Sequence, residues 1–365
     1  MHIVAAMSGG VDSSVAAALL LEQGHTVTGA FLRNGVAPGA AARRHKQGCC
    51  SVGDSLDAAR VCDRLDIPFY SLDFSQPFER LIDDFAASYA AGRTPNPCVD
   101  CNKDLKFGRL QQFAEAIGAG AVATGHYAHL EEHAGRHALR VPADRAKDQT
   151  YVLFPLDQAQ LSRTLFPLAG LQKAEVRERA RALGLDVSEK PESMEICFVP
   201  EGDYRAIVAE RAPDGVRPGD IRDAATGTVV GRHAGIGTVT IGQRRGLGLP
   251  GGADARFVTR LDTQTNEVWV DVAGALERRE VVVQLWNGVA APPPAPGERL
   301  VGNARVRRGH VGQSAVAVGE QDERGVAQVR VTFDPPVRSP APGQALVLYD
   351  ECDRVLGGGW IASSV

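Results

Sequence analysis

The stretch Ser8-Gly9-Gly10-Val11-Asp12-Ser13-Ser14 follows an apolar segment, residues 2–6, and opens a helix-like segment, residues 11–22. Paired glycines let the backbone approach a polyphosphate closely, the amides at a helix start point toward it, and serine hydroxyls add donors. For a shorter string an ordinary serine-capped glycine turn would be the better explanation, but all seven residues in this context favour a phosphate-binding loop. Asp12 is a candidate to hold Mg²⁺ or to position a nucleotide.

Strand-like and helix-like segments alternate around this loop through the first third of the chain. The strand-like segments are residues 2–6, 26–32, 68–72 and 121–124, and the helix-like segments are residues 11–22, 57–65, 78–90 and 105–117. This βαβ rhythm predicts a doubly wound parallel sheet with helices on both faces.

The character of the sequence changes past residue 201, where Gly and Pro become frequent. Short alternating runs, residues 237–241, 257–261 and 267–272, predict a small β-rich central domain. The proline-rich residues 290–297 can continue neither a helix nor a central strand, and the short strands after them predict a C-terminal β-barrel. The predicted domains are therefore 1–200, an α/β catalytic domain, 201–285, the central domain, and 286–365, the barrel.

Composition restricts the class of protein. The chain has 365 residues, 44% of them hydrophobic, and a formal net charge of -4, so any polyanionic partner must be held by local basic patches. Seven cysteines form a poor pattern for a secreted disulfide framework. No stretch approaches the roughly 20 apolar residues that span a bilayer. We expect a multidomain cytoplasmic protein with reduced thiols and no membrane partner.

Two cysteine segments are candidates for chemistry. Cys98-Val99-Asp100-Cys101 lies within residues 94–103, and Cys197 lies within residues 195–198. A lone C-x-x-C fits a redox pair, half of a metal site or coincidence. A helix start beside Cys101, with Lys103 close by, would favour a reactive thiolate. Cys197 has apolar neighbours, which on their own predict a buried structural cysteine.

The phosphate loop resembles that of the ATP pyrophosphatase (PP-loop) superfamily. The chain contains no GxxxxGK[ST], so a Walker-type enzyme would lack its phosphate lysine. Members of the superfamily cleave ATP to AMP and pyrophosphate while adenylating a carbonyl oxygen, which turns a very poor leaving group into a workable one. The resemblance implies ATP and Mg²⁺ and a fold like that of adenine nucleotide alpha hydrolases.

Six motifs, in order along nearly the whole chain, resemble the tRNA-specific 2-thiouridylase family. They are residues 8–14, residues 94–103, Ala123-Thr124-Gly125-His126-Tyr127, Lys147-Asp148-Gln149, residues 195–198 and Gly242-Gln243-Arg244-Arg245-Gly246-Leu247-Gly248. The resemblance implies ATP-dependent adenylation of the wobble-uridine 2-oxygen of tRNA and sulfur transfer to C2, giving 2-thiouridine, AMP and pyrophosphate. It also implies two partners, tRNA and a persulfide sulfur-donor protein.

The resemblance also implies roles for individual residues. Cys101 would be the nucleophile and Cys197 the persulfide carrier, joined in a transient disulfide after either the persulfide or a released hydrosulfide attacks C2. The implied ATP-binding residues are Ala6, Met7, Ser8, Gly9, Gly10, Val11, Asp12, Ser13, Leu32 and Gly125. Asn96, Pro97 and Cys98 would face the target base. The implied tRNA contacts are His126, Lys147, Asp148, Gln149, Arg307, Arg308 and Gln344.

The role of one position and three alternative functions stay open. One branch of the family carries an aspartate where this chain has Cys98, so an acid or base role there is in doubt and Asp100 is a substitute candidate. Cys98, Cys101 and Cys197 together would suit a [4Fe-4S] cluster with one open iron. Another PP-loop amidating or sulfur-transferring enzyme, or a non-catalytic RNA-binding protein with a structural metal site, would use only part of these motifs.

Overall fold

The computed structural model describes residues 1–35, 52–191, 196–199, 202–249 and 255–364. The chain forms two compact units. The first consists of Met1–Leu81, Cys98–Gly202 and Cys352–Val355, and the second of Ile82–Pro97, Asp203–Glu351 and Leu356–Val365. The phosphate loop and both candidate catalytic cysteines therefore belong to the first unit.

The first unit is built on a parallel sheet. Its strands are β1 (His2–Met7), β2 (Thr26–Arg33), β3 (Phe69–Asp73), β4 (Ala121–Thr124), a hairpin of β5 (His129–His133) and β6 (Arg136–Arg140), and β7 (Thr164–Leu165). Five of them pair in the order β3-β2-β1-β4-β7, each pair parallel. The predicted doubly wound sheet is confirmed.

The helices of this unit lie between its strands. They are α1 (Val11–Glu22), α2 (Val52–Arg64), α3 (Ser75–Ala90), α4 (Pro97–Asp100), α5 (Leu110–Ala116), α6 (Thr150–Leu153), α7 (Gln158–Ser162) and α8 (Lys173–Ala182). A π-helix, Cys101–Arg109, links α4 to α5. Helix α3 and α4 each contain residues of both units. None of the helices in the described ranges is long and apolar enough to cross a membrane.

Alternation along β1 produces two cores. Ile3, Ala5 and Met7 join a buried cluster with residues of α1, α2 and α8. Val4 points to the other face, where it clusters with residues of α5. Successive side chains of a strand point to opposite faces, so a central parallel strand must be apolar on both. This explains why residues 2–7 read as a continuous apolar run.

The strand order places a ligand crevice at the end of β1. From β1 the chain proceeds to β2 on one side, while β4 pairs with the other side of β1. Such a reversal opens a crevice at the carboxyl ends of the two strands, where open α/β sheets bind ligands. The segments that leave β1 and β4 both begin at this edge.

The second unit contains a helix, a small sheet and a barrel. Helix α9 (Arg205–Arg211) precedes β8 (Gly219–Asp223), β9 (Val229–His233), β10 (Phe257–Asp262) and β11 (Glu267–Asp271), which pair in the order β10-β11-β8-β9. The predicted strand at 237–241 is wrong, because Ile236–Thr238 is a 3-10 helix. Gly237 packs there so closely that a Cβ would lie 2.9 Å from Val208.

The barrel is closed and six-stranded, which confirms the predicted architecture. Its strands are β12 (Glu277–Gly288), β13 (Arg299–Arg305), β14 (Gln313–Gln321), β15 (Ala327–Arg338), β16 (Ala345–Tyr349) and β17 (Val355–Ser364), in the order β12-β15-β14-β13-β16-β17. The barrel thus begins at Glu277, ahead of the position 286 predicted from the prolines. The proline-rich residues instead connect β12 to β13, where Pro296 forms an isolated bridge with Gly319.

Candidate active site

Serine hydroxyls fold the loop between β1 and α1. The Ser13 hydroxyl accepts from the Ser8 amide (3.1 Å) and donates to the Gly10 carbonyl (3.1 Å), and the Ser14 hydroxyl donates to the same carbonyl (2.8 Å). Gly10 occupies the N-cap of α1 and makes no side-chain cap hydrogen bond. In the described part of the chain no side chain caps the first turn of α1, which suits an anion at the positive end of the helix.

Two glycines allow other segments to pack against this loop. Gly9 has φ +67°, and a Cβ on it would lie 2.2 Å from the Asp54 carbonyl oxygen. A Cβ on Gly125 would lie 2.6 Å from the Ser13 amide nitrogen. Only glycine fits either contact without moving backbone. The structure therefore brings α2 and the segment after β4 to the phosphate loop.

The remaining predicted ATP-pocket residues lie at the same edge of the sheet. Ala6 and Met7 end β1, and Met7 pairs with Phe31 of β2. Leu32 is the next residue of β2 and packs at the edge of the core cluster shared with α5. The strand register thus gathers the predicted adenosine and phosphate residues around one crevice, while their contacts with ATP stay a prediction.

Asp12 is held by two side chains that the sequence reading did not assign. The Tyr127 hydroxyl donates to Asp12 Oδ1 (2.8 Å), and Lys173 Nζ lies 2.7 Å from both Asp12 Oδ1 and Oδ2. Lys173 is the first residue of α8. The carboxylate therefore joins α1, α8 and the segment after β4.

Lys190 supports the other side of the loop. Its Nζ donates to the Gly9 carbonyl (2.7 Å), to Asp54 Oδ1 (2.6 Å) and to Asp57 Oδ2 (2.7 Å). Burial disfavours the ammonium charge, but the hydrogen bonds and charges of the two carboxylates outweigh it and raise the pKa of Lys190 above its ordinary value. Lys190 stays charged and fixes Gly9 to α2.

Cys101 lies one helical turn further along than the sequence suggested. Helix α4 begins at Pro97, a favoured first position for proline, and Cys101 starts the π-helix that follows. The helix start therefore lies at Pro97 and Cys98 rather than beside Cys101. Cys98 is exposed, Cys101 is half-buried and Asp100 is half-buried.

Asn102 anchors the segment that carries Cys101. The residue is 1% exposed, and its Nδ2 donates to the Val152 carbonyl of α6 (3.0 Å). Its buried Oδ1 has no hydrogen-bond partner among the described residues. Cys101 is thus adjacent to a fixed point of the fold.

Cys197 is half-buried and precedes Phe198, a buried ring that packs edge-on against Phe78 of α3 at 5.7 Å. The preceding residues 192–195, which include Glu195 of the family motif, lie outside the described residues. Cys101 and Cys197 are thiols here rather than a disulfide, so their predicted pairing stays a prediction. Cys62, by contrast, is a structural thiol, because burial raises its pKa to about 12.

The structure does not gather the residues proposed for a metal cluster. In the described part of the chain, no three His, Cys, Asp or Glu side chains come together in a way that could hold a metal ion. Cys98, Cys101 and Cys197 therefore do not form the three-thiolate set that a [4Fe-4S] cluster with an open iron would need. Asp12 offers the oxygen ligands that Mg²⁺ prefers, but they are engaged by Lys173.

Several predicted tRNA contacts hold the protein together around Tyr127. The Tyr127 amide donates to Gln149 Oε1 (2.8 Å), and Asp148 Oδ1 accepts from the Thr150 amide and hydroxyl at the start of α6. His126 is 8% exposed and hydrogen-bonds to the Thr124 hydroxyl (2.8 Å). His126 and Gln149 thus hold the segment after β4, and Asp148 holds the start of α6. Lys147 is half-buried at the end of a 3-10 turn.

The barrel carries a basic patch around the other predicted tRNA contacts. Arg307 and Arg308 are exposed after β13, and Arg305 stacks over the buried Tyr349 ring at 4.0 Å. Burial, with the charges of Arg307 and Arg305, lowers the pKa of His310, which is the expected response of a base to a positive field. Gln344 is half-buried, and its carbonyl accepts from the Ile361 amide of β17 (2.8 Å).

Family models match the chain from end to end. Residues 1–201 match a "tRNA methyl transferase HUP domain", residues 207–271 a "tRNA methyl transferase PRC-barrel domain" and residues 278–361 an "Aminomethyltransferase beta-barrel domain". Relatives named tRNA-specific 2-thiouridylase MnmA are 42% identical in Rhodopirellula baltica, 44% in Rhodococcus erythropolis and 46% in Mycolicibacterium paratuberculosis. The alignments cover 100% of this chain and 97%, 98% and 99% of those proteins.

The chain belongs to the tRNA-specific 2-thiouridylase family. The resemblance stated from its motifs is confirmed, and the family is one of enzymes. Likeness to solved structures is remote by comparison. One such structure is the crystal structure of a 4-thiouridine synthetase–RNA complex with bound ATP, which is 17% identical in sequence. The match covers 58% of this chain and 50% of the synthetase chain, and its TM-score of 0.35 is too low to indicate a shared overall fold.

In this 2-thiouridylase family member, the sequence reading missed Lys173, Lys190 and Asn102. Lys173 lies 161 residues from Asp12, and Lys190 lies 181 residues from Gly9. No spacing rule connects such positions, because only the sheet topology brings them together. Asn102 lay within a recognised motif, but its burial depends on a contact with α6.

Proposed function

We propose that this chain is a tRNA 2-thiouridine synthase that uses ATP to activate the wobble-uridine 2-oxygen and replaces it with sulfur. The observation that carries the proposal is the uncapped start of α1, folded by Ser8, Ser13 and Ser14 at the crevice of the sheet, in the same unit as Cys101 and Cys197. Full-length similarity to 2-thiouridylases supports it. The proposal includes a cytoplasmic location.

The first step is adenylation. The α1 amides and the helix dipole hold the negative polyphosphate, while the uridine 2-oxygen attacks the α-phosphorus and pyrophosphate departs. Gly125, packed on Ser13, lets the adenosine side of the crevice approach the loop. The base must leave the stack, which costs little in an anticodon loop. Mg²⁺ bound to the phosphates would add charge neutralisation.

The second step is sulfur transfer. A donor protein places a sulfur on Cys197 as a persulfide, whose terminal sulfur attacks C2 so that AMP leaves with the original oxygen. Cys101 then attacks Cys197 Sγ, the S–S bond to the transferred sulfur breaks, and a Cys101–Cys197 disulfide forms that an external dithiol must reduce. In the variant route, Cys101 attacks first and hydrosulfide is released to attack C2.

Sulfur transfer through an iron-sulfur cluster held by Cys98, Cys101 and Cys197 is the second candidate, because all three are free thiols of the first unit. Among the described residues no three potential metal-ligating side chains come together, which supports a route without a cluster. Anaerobic purification discriminates the two, since a cluster enzyme retains iron and acid-labile sulfide. Colourless, fully active anaerobic protein excludes the cluster.

The test of the function is reconstitution of the full-length chain with ATP, Mg²⁺, a sulfur source and unmodified tRNA. We expect 2-thiouridine and AMP in equal amounts, with thiolation abolished in Cys101→Ser and in Cys197→Ser. Cys62→Ala is the matched control, because Cys62 is buried away from solvent, and it should thiolate at the wild-type rate. AMP formation with an amine acceptor, unaffected by Cys101→Ser, would instead identify an amidating relative.

A further inference from the structure

We infer that Lys173 is the phosphate-binding cation of this loop, supplied by α8 in place of a lysine on the loop itself. The inference rests on the proposed use of ATP and names a residue that binds it. The loop has no lysine, since its seven residues are Ser8-Gly9-Gly10-Val11-Asp12-Ser13-Ser14. It does have an acidic residue, Asp12, in the first turn of α1. A like charge there repels a polyphosphate unless a cation offsets it.

Lys173 provides that cation in the right place. Its Nζ lies 2.7 Å from both oxygens of Asp12, which puts the ammonium within one hydrogen bond of the helix turn whose amides face the crevice. The Lys173 side chain is 11% exposed and that of Asp12 is 32% exposed. An ammonium on a flexible stem carries three donors, so Lys173 can turn from Asp12 to a phosphate oxygen without moving its backbone.

The backbone of Lys173 is fixed by a buried carboxylate. The Lys173 amide donates to Asp144 Oδ2 (2.9 Å), while Asp144 Oδ1 accepts from the Ala146 amide (3.2 Å). The Gln172 amide donates to Glu175 Oε2 (2.6 Å), which stabilises the same end of α8. Such positioning keeps the ammonium at the loop before any ligand arrives, which is how a preorganised anion site is built.

Lys190, the other lysine at the loop, is arranged differently. Its ammonium donates to three protein oxygens, those of Gly9, Asp54 and Asp57. A carbonyl and two carboxylates match its three donors. We therefore assign Lys190 to the support of the loop and Lys173 to the phosphates.

The test measures ATP and adenosine binding to the full-length chain by calorimetry, with EDTA present so that Mg²⁺ plays no part. We expect Lys173→Met to weaken ATP binding about 10- to 100-fold, the range for one lost charge-assisted hydrogen bond, and adenosine binding less than about twofold. Lys173→Arg should lie between, because a guanidinium also binds phosphate. Arg179→Met is the matched control, since it removes another ion pair between α8 and α1, to Glu22, and should leave both affinities unchanged.

A second comparison separates phosphate binding from a merely structural pairing with Asp12. If Lys173 only neutralises Asp12, the double variant Asp12→Asn/Lys173→Met binds ATP as tightly as Asp12→Asn alone. If Lys173 binds phosphate, the double variant binds about tenfold more weakly or worse. The double variant removes both the Asp12 carboxylate and the Lys173 ammonium, so neither is left unpaired. It therefore tests phosphate binding by Lys173 even if Lys173→Met does not fold.

The outcomes distinguish this inference from the proposed function. Equal weakening of ATP and adenosine, or no weakening, overturns the assignment of Lys173 while ATP-dependent thiolation stands. A loss confined to ATP, in a protein that does not thiolate tRNA, upholds the assignment and overturns the proposed function. Wild-type protein that binds no ATP overturns both.

Discussion

Gly125 packs against the phosphate loop so closely that a side chain does not fit there. A Cβ there would lie 2.6 Å from the Ser13 nitrogen and 2.7 Å from the Asp12 carbonyl carbon, both backbone atoms. Flexible side-chain ends can move aside, but the backbone of the phosphate loop can do so only by changing its own shape. The contact therefore couples the segment after β4 to the geometry of the α1 amides.

Substitution of Gly125 by alanine should damage ATP binding and stability together. We expect Gly125→Ala to lower the free energy of unfolding by about 1 to 3 kcal/mol, as overpacking does, and to weaken ATP binding at least about fivefold, because the loop must shift. Urea unfolding and calorimetry measure the two effects. Gly170→Ala is the control, since a Cβ there has nothing within 4 Å. Wild-type ATP affinity in Gly125→Ala would show that the loop tolerates the shift.

The π-helix is the element that most affects the proposed chemistry. It runs over Cys101–Arg109, whereas the sequence predicted an ordinary helix over residues 105–117. The spacing of apolar residues identifies a helix, but it does not distinguish the i→i+5 hydrogen bonds of a π-helix from the i→i+4 hydrogen bonds of an α-helix. Asn102 is held at its first turn by the carbonyl of Val152, which fixes where the preceding Cys101 lies.

Loss of this anchor should affect the reaction more than ATP binding. We expect Asn102→Ala to lower the free energy of unfolding by about 1 to 3 kcal/mol, because the Val152 carbonyl is left buried without its donor, and to reduce kcat for thiolation with KM for ATP nearly unchanged. Gln158→Ala in α7 is the control, since it removes a similar bond, to the His137 carbonyl of β6 (3.0 Å), rather than one to the segment that carries Cys101. Equal kcat in the two variants would show that Asn102 is only structural.

For the whole molecule, local sequence patterns predicted the parallel sheet and the barrel, but they did not predict contacts between residues far apart in the sequence. The parallel sheet was predicted because strands that are buried on both faces appear as continuous apolar runs. The barrel was predicted because strands that are buried on one face alternate apolar and polar residues. The start of the barrel at Glu277 was missed because prolines at residues 292–294 and 296 interrupt only the connection to β13. Lys173 and Lys190 were missed because nothing near them in sequence marks the loop they contact.

The net charge of the whole chain determines how it would bind tRNA, the proposed substrate. A protein with net charge -4 must bind a polyanion through local patches. The exposed Arg307 and Arg308 lie close in sequence to His310, whose pKa is lowered by burial and by the charges of Arg307 and Arg305. Both arginines belong to the second unit, whereas the phosphate loop belongs to the first. Their contribution should therefore appear in tRNA binding alone.

The double variant Arg307→Glu/Arg308→Glu should weaken tRNA binding and reduce the magnitude of the slope of log affinity against log salt by about 1 to 2. Binding through fewer phosphate contacts releases fewer counterions from the tRNA. ATP affinity should stay at the wild-type value. Arg279→Glu/Arg324→Glu makes the same change in net charge on the same barrel, but Arg279 faces Asp334 and Arg324 lies at the turn between β14 and β15. Salt titrations of both variants measure the difference. A slope that falls equally in both would mean that overall charge, rather than the patch after β13, attracts the tRNA.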